Sequence, residues 1–288
     1  MGSFAERMGH RAERTLVQSD SLDRDTRTEI WNTIVILKQV FQNVRDETYG
    51  SDTTESNVLE AVWTWEFKQA RDEMRSHGQV WEHIKIYVLN EKWFDVLDLV
   101  EALVGYLGRY KTHSTRDLVA TFTEGFNNRF EHFLVGFRFI GQEITPIDST
   151  AEAEAVVAAT EDAASIAGAR HALERAISLL ADREKPDYPN SIKESISAVE
   201  AVVKKVTGAN DDLAAGLKKL ENAGLSIHPA LKGAWLKMYG WTSDEDGIRH
   251  GGIDAADADQ ALAKYVLVTC SAFVSYLIEE GRKAGLLT

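Results

Sequence analysis

Apolar residues recur at three- and four-residue intervals along most of this chain, which is the period of an α-helix. Ile30, Ile34, Leu37, Val40, Phe41 and Val44 line one face of a helix expected from about Arg24, entered through Ser21 or Asp23 as its cap. Val58, Val62, Trp65 and Met74 mark a second helix. Trp93, Val96, Leu97, Val100, Leu103, Val104 and Leu107 mark a longer one, and Leu118, Phe122, Phe126, Phe130 and Phe133 another. Trp31, Trp63, Trp65, Trp81 and Trp93 crowd this half and read as core. Between Phe137 and Ile147 the period changes. Phe137, Phe139, Ile144 and Ile147 flank Gly141-Gln142, the pattern of a small two-stranded hairpin that closes a first domain.

From Ser149 the composition turns acidic and alanine-rich, which predicts one helix to about Arg183, and Pro186 and Pro189 then break it. A domain boundary follows, with residues 1–148 in one domain and 149–288 in a second. Asn190 or Ser191 is the expected cap of the next helix. Ile192, Ile196, Val199, Val203 and Val206 form its buried stripe, and Gly208 ends it. Leu213, Leu217 and Leu220 give a shorter helix, Leu231, Trp235 and Met238 another, and the last runs from Asp254 to about Lys283. The fold class is mainly α: a helical first domain with a β-hairpin, then an all-α bundle.

The apolar fraction of 44% in 288 residues is enough for full cores. The net charge of -13 is spread over both halves, so any nucleic-acid binding needs a local positive patch rather than a bulk field. Lys218, Lys219, Lys232 and Lys237 face only Glu221 between Leu213 and Ser243, and they are that patch in sequence. The single cysteine, Cys270, excludes an internal disulfide, fits a reducing cytoplasm and reads as a small core residue. Its apolar run, Tyr265 to Ile278, is too short to span a bilayer, and the polar start of the chain lacks a signal peptide. The histidines show no zinc-ligand spacing, so neither a metal nor a cofactor is expected.

Unusual chemistry gathers in Tyr239-Gly240-Trp241-Thr242-Ser243-Asp244-Glu245-Asp246-Gly247-Ile248-Arg249-His250-Gly251-Gly252. Imidazole moves protons near neutral pH, and guanidinium is a permanent planar cation whose fork matches phosphate oxygens. Arg249 and His250 therefore suit phosphodiester chemistry. Gly251 and Gly252 permit close approach of a ligand, and Asp246 precedes the pair. The plainer reading is a charged turn in which Arg249 pairs with Asp244 or Asp246. Glu194 and Ser197, one turn apart, and Asn190 are further candidates for lining a cleft. A solvated face is the more common explanation for them and for the four lysines.

The run Pro186-Asp187-Tyr188-Pro189-Asn190-Ser191-Ile192-Lys193-Glu194-Ser195-Ile196-Ser197-Ala198-Val199-Glu200, followed by His228-Pro229-Ala230-Leu231 and Asp246-Gly247-Ile248-Arg249-His250-Gly251, resembles the C-terminal HEPN-type domain of AbiJ-like abortive-infection proteins. Ser3-Phe4-Ala5-Glu6-Arg7, Arg27-Thr28-Glu29-Ile30-Trp31-Asn32, Trp93-Phe94-Asp95-Val96-Leu97-Asp98 and the Phe137 to Ile147 segment resemble an N-terminal domain of the same proteins. The resemblance implies a helical HEPN bundle, bacterial defence against phage and, as in many HEPN proteins, metal-independent RNA cleavage by a dimer. The first domain would be a sensor, regulator or scaffold, and a phage-derived or defence-system protein a trigger. The HEPN nuclease motif sets its arginine several residues ahead of the histidine. Here Arg249 directly precedes His250, and Ser243, Asp244 and Glu245 hold the usual arginine positions.

Two functions follow. In an endoribonuclease, His250 takes the proton of a ribose 2′-hydroxyl and Arg249 stabilises charge on the phosphoryl oxygens. One histidine per chain then predicts a homodimer that supplies the second. The alternative is a non-catalytic HEPN module that binds RNA or a protein partner.

Overall fold

The computed structural model describes Phe4, Met8 and residues 17–182, 185–243 and 258–287. These residues form eleven α-helices and one two-stranded sheet, so the fold is mainly α. The chain divides into two compact units: residues 1–144 with 148–150, and residues 145–147 with 151–288.

The first unit begins with α1 (Arg24–Glu47), where the Asp23 side chain accepts from the Thr26 amide and so satisfies one orphan donor of the first turn. Its stripe of Ile30, Ile34, Leu37, Phe41 and Val44 is buried, as the spacing requires. α2 (Thr54–Ala61), α3 (His77–Asn90), α4 (Trp93–Tyr110) and α5 (Leu118–His132) close around it, with α1 packing on α3 and α5 and α2 on α4. The hairpin follows as β1 (Arg138–Ile140) and β2 (Glu143–Thr145). Gly141 sits at its turn with φ of 62°, where a side chain would be strained.

The expected second helix, through Met74, ends much earlier. After Ala61 the chain enters a π turn, Val62–Glu66, in which the Phe67 amide donates to the Val62 carbonyl. Wider turns shift the facing of later side chains. Trp63 stays buried and its Nε1 donates to the Ala70 carbonyl at 2.8 Å, whereas Trp65, expected in the core, is 56% exposed. Trp81 is buried, and Trp31 and Trp93 are partly buried against the core. α3 was not legible as a separate stripe. It starts at a Ser76 cap whose hydroxyl accepts from the Gln79 amide, and it buries Val80, Trp81, Ile84 and Val88.

Arg138 is the largest fully buried side chain, at 1% exposure. Its Nη1 donates to the carbonyls of Val135 (2.8 Å) and Phe137 (2.7 Å), its Nη2 to that of Asp148 (2.7 Å), and its Nε to the Thr150 hydroxyl (3.1 Å). Burial lowers its pKa, an effect opposed by the charges of Glu131 and Asp148. A guanidinium nevertheless remains charged at neutral pH. The cation gathers the two ends of the hairpin segment on one side chain.

In the second unit, the single helix expected from Ser149 to Arg183 is two helices. α6 (Thr150–Asp162) and α7 (Ala167–Ala181) are separated by a 3₁₀ turn at Ala163–Ser165 and by Ile166, which is extended (φ -120°, ψ 78°) and buried. Alanines carry no stop signal, so the break reflects the packing of Ala163 and Ile166. α8 (Tyr188–Thr207) is the central helix, packed by α7, by α9 (Leu213–Lys219) and by α11 (Gln260–Lys283). Its cap is Asp187, not Asn190 or Ser191. Proline is tolerated in a first turn, so Pro189 lies inside the helix instead of before it. Ser191 is buried and its hydroxyl donates to the Ala176 carbonyl on α7. Gly208 ends α8 in the left-handed conformation, with φ of 68°.

α10 (Pro229–Ser243) lays Trp235 on Phe273 of α11, ring centroids 4.0 Å apart and nearly parallel. α11 begins at Gln260, capped by Asp259, whose side chain accepts from the Leu262 amide. The start expected at Asp254 lies outside the described residues. α11 is long and apolar enough to span a bilayer by length and composition alone, but half of that stretch is buried inside the protein, as in a core helix. Ala263, Val266, Leu267, Cys270, Val274, Leu277 and Ile278 bury one of its faces. Burial pushes the Cys270 thiol far above its ordinary pKa, which makes it inert as a nucleophile.

α6 is tied to α11 by Lys264–Glu152 (3.6 Å) and Arg282–Asp162 (3.5 Å), and it buries Ala153, Val156 and Ala159. A fragment of residues 163–288 should therefore be less stable than one of residues 149–288, by at least about 2 kcal/mol for the lost valine and alanine burial. Urea denaturation of the two fragments checks this. Equal midpoints would remove α6 from the folding unit.

Candidate functional site

The sequence-predicted centre falls between the last residue of α10, Ser243, and the cap of α11, Asp259. Asp246, Arg249, His250, Gly251 and Gly252 lie outside the described residues. The structure does define the two helices that bracket them. On the α10 side Thr242 is buried and its hydroxyl donates to the Tyr239 carbonyl at 2.8 Å, while Trp235 anchors the helix on Phe273. On the α11 side Asp259 holds the first turn.

Tyr188, in the first turn of α8, has its pKa raised by burial and then by the charge of Asp259. The N-terminal end of α8 therefore lies by the N-terminal end of α11. The opposite ends also meet, because a Cβ on Gly281 of α11 would touch Val206 of α8 at 3.6 Å. The two helices run parallel, with the first turn of α8 and the cap of α11 at the same end. Tyr188 stays neutral at physiological pH and keeps its hydroxyl proton for donation. Sequence reading did not single out this pair, since no local pattern links residues so far apart along the chain.

Asn190 is at this same end. Its amide donates to Asp187 Oδ1 (3.1 Å) and its Nδ2 to Oδ2 (2.7 Å), so its first role is to complete the cap of α8. Glu194 and Ser197 are half-buried further along α8, and the Ser197 hydroxyl donates back to the Lys193 carbonyl. That back-bond is the ordinary resting place of a helical serine.

The four lysines do not act as one free patch. Lys219 pairs with Asp211 at 2.6 Å and Lys232 with Glu221 at 2.8 Å, which ties α10 to the turn after α9. Among the described residues Lys218 and Lys237 make no ion pair, and both are exposed. The sequence reading overcounted the positive charge because Asp211 lies just outside the window in which it was balanced. Among the described residues no group of three or more His, Cys, Asp and Glu side chains is placed to hold a metal.

Compared with known protein families, residues 2–162 match the model described as AbiJ N-terminal domain 4. The match covers the first unit and runs to the end of α6. No curated protein and no solved structure matches the chain.

Proposed function

The chain belongs to the AbiJ N-terminal domain 4 family, a domain of abortive-infection proteins, and from that membership we propose a bacterial anti-phage protein whose second unit is a HEPN-type, metal-independent endoribonuclease. The observation that carries this reading is the joining of such a domain to an all-α unit with Arg249-His250 in the stretch between α10 and α11. RNA is the substrate, the first unit is the sensor or scaffold, and the protein acts in the cytoplasm.

The chemistry is an intramolecular transesterification. His250, neutral, removes the 2′-hydroxyl proton, and the oxygen attacks the adjacent phosphorus. The 5′-oxygen departs with a proton from a second imidazole. Arg249 holds the phosphoryl oxygens while their charge rises. A two-fold dimer supplies the second histidine from the same surface of its partner. Tyr188, kept neutral beside Asp259, is a hydrogen-bond donor at the end of the bundle where α11 begins.

Purified protein incubated with total RNA in chelator tests this. Products should carry 2′,3′-cyclic phosphate and 5′-hydroxyl ends. Cleavage that requires added metal, or leaves 5′-phosphate ends, rules out the mechanism. Light scattering should show a dimer, and a mixed dimer of wild-type and His250→Ala chains should cleave far more slowly than wild type. A monomer active at full rate at nanomolar concentration would eliminate the composite site.

The acidic triplet Asp244-Glu245-Asp246 and the intramolecular pairing of Lys219 and Lys232 favour a second reading, a HEPN module that binds RNA or a protein without cutting. Stable RNA retention with intact RNA recovered would establish it.

A further inference from the structure

A polar cluster in the first unit has no part in the proposed RNA chemistry. Glu55, in the first turn of α2, is buried, and His77, the first residue of α3, stands against it with Nδ1 3.5 Å from Glu55 Oε2. The other ring nitrogen, Nε2, lies 3.3 Å from the hydroxyl of Ser56, which is exposed. With the proton on Nδ1, the nitrogen that faces the carboxylate, the ring presents Nε2 as an acceptor for the serine proton. Serine, histidine and buried acid in that order form the hydrolase triad, which is recognised by geometry and roles rather than by order along the chain.

The carboxylate is held for this task. Glu55 Oε1 accepts from Trp81 Nε1 at 3.0 Å and Oε2 from Arg45 Nη2 at 2.5 Å, so its orientation toward His77 is fixed from two other helices. The histidine distances are long, as in resting sites that tighten around substrate. The third element is an oxyanion donor. The Ser56 amide is in the first turn of α2, where no carbonyl four residues back lies within the helix, and the nucleophile's own amide is one of the donors in such sites.

We propose that Ser56, His77 and Glu55 are the nucleophile, base and orienting acid of a second active site, which hydrolyses esters of short-chain carboxylic acids. The size of the acyl group follows from the cleft. Lined by Phe41, Arg45, Gly50 and Asp52 besides the triad, it encloses about 80 Å³, far below the several hundred Å³ of pockets that swallow a whole drug-sized ligand. Phe41 is its apolar face, and a larger alcohol portion remains outside. In the reaction Ser56 Oγ bonds to the acyl carbon and its proton passes to His77 Nε2. The alcohol leaves with that proton. Water then attacks the acyl-serine, gives its proton to Nε2 and releases the carboxylic acid, while Ser56 recovers its proton.

An alkyl fluorophosphonate applied to the purified full-length chain, with the adduct mapped by mass spectrometry, tests the assignment. Ser56 should be the modified residue, and p-nitrophenyl acetate should be hydrolysed with loss of that activity in Ser56→Ala. Glu55 variants risk unfolding, because they strip partners from Trp81 and Arg45. His77→Gln is the informative second variant: labelling at Ser56 should slow by about 10²–10⁴. A folded wild-type chain left unlabelled at Ser56, or a Ser56 adduct formed equally fast in His77→Gln, overturns the proposal.

Discussion

Replacing His250 by alanine is expected to lower RNA cleavage by about 10²–10⁴, the usual cost of removing one positioned acid-base group. The fold should survive. α10 is fixed by Trp235 stacked on Phe273, and α11 by the Asp259 cap and the buried face from Ala263 to Ile278, contacts made by residues other than His250. Far-UV circular dichroism and single-turnover cleavage of the same preparations separate loss of chemistry from loss of structure. The rate should also follow a bell-shaped pH profile, because one imidazole must be neutral to accept a proton and the other charged to donate one. Arg249→Lys should be impaired as well, since a point charge cannot reproduce the planar fork on phosphoryl oxygens. Unchanged cleavage by His250→Ala removes that residue from the mechanism.

The second large effect is on stability. Arg138→Met should cost about 3–5 kcal/mol, a large part of the 5–15 kcal/mol that holds a typical domain folded. Replacing a buried ion pair by apolar residues is often harmless, because both partners leave together. At Arg138 they cannot. The carbonyls of Val135, Phe137 and Asp148 belong to the backbone and remain, that of Val135 buried and the other two partly so, all stripped of a charged donor. Methionine is close in length, so the loss reports these hydrogen bonds more than a cavity. Arg138→Lys should fall between, keeping the charge with fewer donors and no fork. Urea unfolding monitored by tryptophan fluorescence measures the series. A methionine variant with the wild-type midpoint would show that the carbonyls find other partners.

The divided outcome at Trp63 and Trp65 shows where reading by period stops. On an α-helix Trp65 would share the face of Val58 and Val62, but the π turn after Ala61 carries it off that face to 56% exposure, while Trp63 is buried. No residue in Val62–Glu66 announces that turn. The lysines are a second case. Their formal balance in sequence is positive, and the fold then spends Lys219 on Asp211 and Lys232 on Glu221.

Sequence alone determined the helical class, the stripes of α1, α4, α5, α8 and α11, the hairpin around Gly141 and the stop of α8 at Gly208, and it narrowed the cap of α1 to Ser21 or Asp23. From residue chemistry it also offered Arg249-His250 as a candidate pair for phosphate chemistry, and that pair lies outside the described residues. These features are local: a stripe, a cap or a glycine at positive φ is fixed by neighbours within a turn or two. Tertiary structure decided the split of α6 from α7, the burial of Arg138, the packing of α11 on α8 and the convergence of Glu55, Ser56 and His77. Each of these joins side chains from different elements, and which ones meet is set by how helices pack, an arrangement to which no single segment's periodicity is sensitive.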